Sequence, residues 1–345
     1  MLGRLKTATK FVGDKIGWSW LSVLLSLSII GTACVVLYRM LHNLNFDKVY
    51  VALTAFTHRD IIIAALFVAA GYVTLTFYDL FALRTIGRKN VPYRVAALAG
   101  FTSYSIGHNI GASVFTGGAV RYRVYSLHGL SAVDVAKICF IAGLTFWLGN
   151  ATVLSLGILY TPHAATMIDQ LPEWVNRALA IVALGVLTAY IAWVWRVPRR
   201  IGRKNWEVTL PNGPLTLLQI GIGIIDLGCC AAAMYMLAPA EPHMGFIDLS
   251  IIFVAATLLG FASHSPGGLG VFDAAMLFAL WQYNQESLVA GLLLFRLLYY
   301  IAPFALALTI LGVRELWLSL TKQRRRIVEL PTDRPENIKH DGKVS

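Results

Sequence analysis

The sequence predicts an all-α, polytopic integral membrane protein built from two inverted repeats, each with three spanning helices and one broken re-entrant helical hairpin. Three observations lead there. The 345 residues are 57% hydrophobic and only 14% charged, against about 25% charged in an ordinary soluble domain. The apolar residues come in blocks of about 20 or more, the length an α-helix needs to cross ~30 Å of hydrocarbon. The net charge of +11 is concentrated in a few short connections and the C-terminal tail, which fits a cytoplasmic membrane face. A water-soluble fold and a nucleic-acid partner are therefore excluded, and no segment alternates as an outer-membrane barrel strand does.

Taken in order, residues 1–16 form a basic, cytoplasmic N-terminus carrying Arg4, Lys6, Lys10 and Lys15. The apolar run that follows, 18–38, is too long for a secretory signal and ends in no small-residue cleavage site, so a retained start-transfer helix is expected. Further apolar segments are expected at 61–83, 95–127, 132–160, 174–195, 215–238, 247–281 and 287–313. The polar stretch 321–345, opening near Lys322-Gln323-Arg324-Arg325-Arg326, is expected to be a disordered cytoplasmic tail. The cysteines Cys34, Cys139, Cys229 and Cys230 lie inside apolar runs with no metal-ligand spacing, which makes them small core residues. Neither a metal nor a cofactor is expected.

The connections fix the orientation. Lys and Arg number four in 1–16, four in 84–94, five in 196–212 and eight from Arg314 onward, but none in 161–172 or 238–247. The positive-inside rule places the first group in the cytoplasm and the second outside. Two apolar segments then separate 84–94 from 161–172, and two more separate 238–247 from the tail, so one of each pair must return without crossing. Segment 95–127 is interrupted by Gly100, Gly107, Gly111, Gly117 and Gly118, and segment 247–281 by Gly260, Pro266, Gly267, Gly268 and Gly270. These two are expected to be re-entrant hairpins, since irregular backbone at that depth survives only where it is buried in protein or lines a wet cavity. The halves 17–160 and 173–320, joined by an external loop at 161–172, then read as inverted repeats, an architecture recurrent in alternating-access transporters.

The tips of the hairpins are the candidate binding site. In His264-Ser265-Pro266-Gly267-Gly268-Leu269-Gly270-Val271-Phe272-Asp273, Ser265 is placed to cap a returning half-helix with Pro266 at its first position. Gly267 and Gly268 would leave backbone N–H groups open to an anion such as phosphate, and Gly270 and Asp273 are counted with the same binding site, Asp273 as a carboxylate for a cationic headgroup or a coupled proton. Thr116-Gly117-Gly118 is expected to start the other returning half-helix, with Arg121 and Arg123 supplying forked donors. His108 and Asn109 flank this first tip. Other ionisable residues within apolar segments are costly unless paired or facing a cavity. Asp134 and Lys137 are expected to pair locally. Asp226 and Arg296 are expected to pair near mid-depth, and Asp79 and Asp226, on corresponding helices, are candidates for coupling protons or receiving a cationic headgroup.

The run His108-Asn109-Ile110-Gly111 through Gly117-Gly118-Ala119-Val120-Arg121-Tyr122-Arg123, and above all Pro266-Gly267-Gly268-Leu269-Gly270-Val271-Phe272-Asp273, resembles the transmembrane region of bacterial lysylphosphatidylglycerol synthases/flippases of the multiple peptide resistance factor type. The resemblance covers nearly all of 17–320. In the two-part proteins this module moves aminoacylated phosphatidylglycerol between leaflets and is followed by a soluble transferase; a member without the transferase is expected here. Asp273 stands where the family often has Glu. The resemblance implies a stand-alone lipid translocase of the bacterial inner membrane, with both termini cytoplasmic and a phospholipid as partner. A separately encoded lipid transferase and a second copy of the chain are further expected partners. Two alternatives stay open: a membrane enzyme acting on a lipid-linked phosphate, and a non-catalytic subunit that recruits a transferase.

Overall fold

The computed structural model describes residues 45–328, except 112, 198, 204 and 205, together with residues 35, 38 and 42. The expected first span at 18–38 and most of the basic N-terminus therefore lie outside the described residues. So do residues 329–345.

Helices dominate the described chain. α1 (Phe46–Ala55) leads into α2 (His58–Thr85), followed by the broken pair α3 (Tyr93–Ile110) and α4 (Ser113–Tyr125) and the long α5 (Ala132–Tyr160). A short α6 (Pro162–Asp169) and α7 (Glu173–Val194) connect to β1 (Arg200–Arg203) and β2 (Trp206–Thr209). Then come α8 (Gly213–Met236), a second broken pair α9 (Phe246–Ala262) and α10 (Val271–Ala279), α11 (Gln285–Arg296), a π-helical segment (Leu297–Ile301) and α12 (Ala302–Val328). The order long helix, broken pair, long helix thus occurs twice.

Five helical stretches are long and apolar enough to cross a membrane: His58–Thr85, Ala132–Tyr160, Glu173–Val194, Gly213–Met236 and Gln285–Trp317. The starts of four of these stretches, all but Glu173–Val194, and of α1 are chemically marked. Asn45, Thr57, Ser131, Asn212 and Asn284 each accept a hydrogen bond from a backbone N–H in the first turn of the helix that follows, satisfying donors that would otherwise be orphaned. Asp134 completes a capping box with Ser131 and is held by Arg88 at 2.8 Å. The expected Asp134–Lys137 pair is replaced by this contact, because the carboxylate turns back toward its own helix start.

Two further departures stand out. The connection 196–212 folds into an antiparallel hairpin, β1 with β2, the one exception to the all-α expectation among the described residues. α12 also continues to Val328, into the stretch expected to be disordered. The described residues fall into two units, one ending at Ala307 and one beginning at Leu308. Everything below concerns the first.

The core of that unit is built where α8 lies along α2. Val68, Tyr72, Leu75 and Tyr78 pack with Leu227, Cys230, Ala231 and Met234, and α9, α10 and α11 add Leu249, Phe253, Phe272 and Phe295. Lipid tails are as apolar as these side chains, so close backbone approach through small residues drives such packing. At the crossing of α5 and α8, a Cβ on Gly149 would come within 2.8 Å of the Gly223 Cα, and the reverse holds equally. Beside it, Gln219 Nε2 donates to the Thr145 hydroxyl at 2.8 Å and to the Ile141 carbonyl at 3.1 Å.

Candidate functional site

The two broken pairs meet at their tips. The first break falls at Gly111, whose φ of 82° lies in the region that favours glycine. A Cβ there would sit 3.4 Å from His264 O and from Pro266 Cα, so this tip touches the second one backbone to backbone. On the other side, a Cβ on Gly267 would lie 3.5 Å from the Tyr300 ring and 3.7 Å from His108 O.

This geometry moves the first tip. Gly117 and Gly118, expected to open a returning half-helix, instead lie inside α4, where their N–H groups belong to the helix ladder. Gly117 serves packing: a Cβ would stand 3.1 Å from the Ser103 carbonyl of α3. Thr116 Oγ1 donates to the Gly111 carbonyl at 3.1 Å. The second tip is also rebuilt. Ser265 and Pro266 begin only a three-residue 3₁₀ turn, Pro266–Gly268, and the Ser265 hydroxyl contacts that of Ser263 at 2.8 Å without capping anything. The Gly268 N–H is taken by the Ser265 carbonyl at 3.1 Å. The returning helix α10 starts at Val271, where Asp273 accepts the Gly270 N–H at 3.0 Å. Its positive N-terminus already holds a carboxylate, as helix electrostatics favour.

Each broken pair carries one arginine–aspartate pair, with partners other than those expected. Arg121 on α4 reaches across to Asp79 on α2: Nε donates to both carboxylate oxygens at 3.1 and 3.0 Å, and Nη2 to Oδ1 at 2.8 Å. Tyr125 donates its hydroxyl to Asp79 Oδ2 at 2.8 Å, and the guanidinium lies 4.7 Å from the Tyr104 ring centre. Asp79 is fully buried and Arg121 is 5% exposed. The guanidinium expected to hold a phosphate is thus occupied by a carboxylate. Arg123, two residues on, is exposed, because that spacing turns it to another face of the helix.

The second pair joins Arg296 to Asp273, not to Asp226. Nε donates to Oδ1 at 2.9 Å, Nη2 to Oδ2 at 2.5 Å, and Nη1 to the Gly267 carbonyl at 3.2 Å. Both side chains keep partial access, at 12% and 18% exposure. Arg296 therefore ties α11, α10 and the second tip together. Among the described residues Asp226 is left with one hydrogen bond, from the Tyr78 hydroxyl to Oδ2 at 3.0 Å. Asp79 and Asp226, expected to be symmetric, sit in unlike environments.

The π segment links these parts. A π turn displaces carbonyls from the ordinary helix ladder; here the Tyr299 carbonyl accepts the Tyr72 hydroxyl at 2.9 Å and the Tyr300 carbonyl accepts Asn109 Nδ2 at 3.1 Å. His108 stacks near Tyr299, with ring centres 6.4 Å apart, and His264 is exposed with Nδ1 3.0 Å from the Ala262 carbonyl. Tyr72, Tyr78, Tyr104, Tyr125, Tyr299 and Tyr300 were all missed in the sequence reading. Their signal was a hydroxyl inside an apolar block, which must find a partner when buried.

No model of a known protein family matches the chain. It is 28% identical to slr0712 of Synechocystis sp. over 83% of this chain and 88% of that protein. It is 26% identical to the inner membrane protein YbhN of Escherichia coli, over 77% of this chain and 83% of YbhN. Against phosphatidylglycerol lysyltransferase of Staphylococcus aureus the identity is 24% over 79% of this chain but only 32% of that protein, so the chain spans about a third of that relative's length. The chain is thus a homologue of phosphatidylglycerol lysyltransferase, YbhN and slr0712.

Proposed function

We propose that this chain is a lipid translocase of the bacterial inner membrane, moving a lipid with an anionic phosphate, such as an aminoacylated phosphatidylglycerol, between leaflets. The observation that carries the reading is the meeting of two broken helix pairs inside a bundle of membrane-length helices, each braced by an arginine–aspartate pair. Ionisable residues at such depth are expensive and mark polar pathways. The kinship with phosphatidylglycerol lysyltransferase supports a lipid as substrate, and that with an inner membrane protein supports the location.

Of the two arginines, Arg296 is the better phosphate ligand. Arg121 is enclosed against Asp79, whereas Arg296 keeps partial access at the second tip, and its guanidinium has five N–H donors, of which the protein takes three. The Gly267 carbonyl holds Arg296 at the second tip, and Ser265, Gly268 and Gly270 lie in the same turn region. The two arms of the repeat would rock about these tips, as inverted-repeat transporters do, with residues 1–16 and the tail in the cytoplasm. In this reading the chain moves the lipid unchanged and is not itself an enzyme.

The test is reconstitution of the purified chain alone in liposomes with labelled phosphatidylglycerol. Leaflet exchange, read by quenching of the outer label, should accelerate while the mass of the lipid stays unchanged. A change of mass would instead indicate an enzyme, and exchange appearing only with an added transferase would indicate a recruiting subunit.

A further inference from the structure

Among the buried carboxylates, Asp226 is set apart. Asp79 is matched by Arg121 and Asp273 by Arg296, but among the described residues Asp226, 4% exposed, accepts only the Tyr78 hydroxyl on Oδ2, and Oδ1 has no hydrogen-bond partner. Across from it α2 carries Gly71, where a Cβ would stand 3.8 Å from Oδ1, so the position facing that oxygen offers it no side chain. A buried polar atom without a partner in a native fold calls for an explanation.

The surroundings narrow what Oδ1 is for. Among the described residues, the titratable groups facing Asp226 are Tyr72 and Tyr78 from α2, Tyr104 from α3, Tyr299 from the π segment, and Cys229 and Cys230 on α8 itself. None is a cation. α5, α7, α9 and α11 also pack on α8 but bring no charged group into electrostatic contact with this carboxyl. Arg121, which lies over the Tyr104 ring, is paired with Asp79. A hard metal cation takes about six or more oxygen ligands, and one carboxyl with one phenol do not supply them. An ammonium headgroup requires access that a 4% exposed side chain does not give. A proton needs only the carboxylate oxygen.

We infer that Asp226 is a proton-carrying site occluded between α2 and α8, and that its loading and release couple lipid movement to a proton gradient. The step is simple to balance: a proton from water on one side forms the O–H bond at Oδ1, and the same bond breaks to water on the other side once the bundle has rearranged. Tyr78 holds the second oxygen and fixes the orientation of the carboxyl. This inference rests on the translocase reading, and it deepens that reading by naming the coupling ion.

Two readouts test it. The first does not depend on transport: infrared difference spectra of the purified wild-type chain across a pH titration should contain the carbonyl stretch of a protonated carboxyl, absent from Asp226→Asn and displaced but present in Tyr78→Phe. In the second, proteoliposomes with labelled phosphatidylglycerol are given an imposed pH gradient. One proton coupled to one lipid shifts the steady-state leaflet ratio by up to about tenfold per pH unit, and Asp226→Asn should abolish that shift. An infrared titration identical in wild type and Asp226→Asn overturns the proposal. So does lipid movement whose response to the gradient is unchanged in the variant. If wild type moves no lipid under any gradient, the translocase reading fails, while the infrared titration still decides whether Asp226 takes up the proton.

Discussion

Replacing Asp79 with Asn tests how the first broken pair is held. Asn keeps the shape of the side chain and one acceptor oxygen but removes the charge. In the folded protein, Arg121 makes three N–H contacts to this carboxylate, at 2.8 to 3.1 Å, while only 5% exposed, so its charge would be left buried without a counter-ion. Breaking a buried pair in this way costs about 3–5 kcal/mol. Arg121→Met should cost a similar amount, because it strands the carboxylate with only the Tyr125 hydroxyl. Removing both charges together should cost far less, since uncharged replacement of a buried ion pair is often nearly neutral. The double-mutant cycle should therefore give a coupling of at least about 2 kcal/mol. Equilibrium unfolding in mixed micelles, followed by the fluorescence of the nine tryptophans, measures all four proteins. A single-variant cost below about 1 kcal/mol, or additive costs in the double variant, would refute the claim that this pair is what fastens α4 to α2.

Gly223→Ala places a methyl 2.8 Å from the Gly149 backbone and should destabilise by about 1–3 kcal/mol through overpacking, whereas Gly221→Ala, with nothing within 4 Å, should be neutral or slightly stabilising; equal effects in thermal unfolding would contradict the close crossing of α5 and α8. Single cysteines at His163 and Ala240, in a background lacking the native thiols, should react with an impermeant reagent added outside, and one at Glu207 should not. Labelling of Glu207 from outside would contradict the inverted-repeat topology.

How much of this was readable beforehand depended on the physics each feature uses. Span lengths follow from hydropathy alone, and the expected 132–160 and 174–195 lie within a residue of α5 and α7. The breaks were legible as glycine and proline clusters, but the work of each glycine was not. Gly111 is needed for a positive φ and Gly117 for a close helix approach, and both appear in sequence as the same letter. Charge pairing was the least legible. Arg296 was matched with Asp226 because both sit near mid-depth, yet depth says nothing of azimuth around a helix. The second tip turns Asp273 toward Arg296, while α8 turns Asp226 toward Tyr78. The π segment left no trace in the sequence, since Leu297–Ile301 reads as ordinary apolar helix.

The central claim is that the partly accessible guanidinium at the second tip receives the lipid phosphate. Its most direct measurement compares leaflet exchange of labelled phosphatidylglycerol in vesicles holding wild type, Arg296→Lys and the paired variant Arg296→Gln with Asp273→Asn, which removes both charges and so leaves no stranded ion. All three should insert and stay monodisperse in detergent. Exchange should fall in the lysine variant, which keeps the charge but not the bidentate fork, and should drop to the level of protein-free vesicles in the paired variant. A paired variant that is well folded and exchanges lipid at the wild-type rate would show that Arg296 only braces the helices and that the phosphate is held elsewhere.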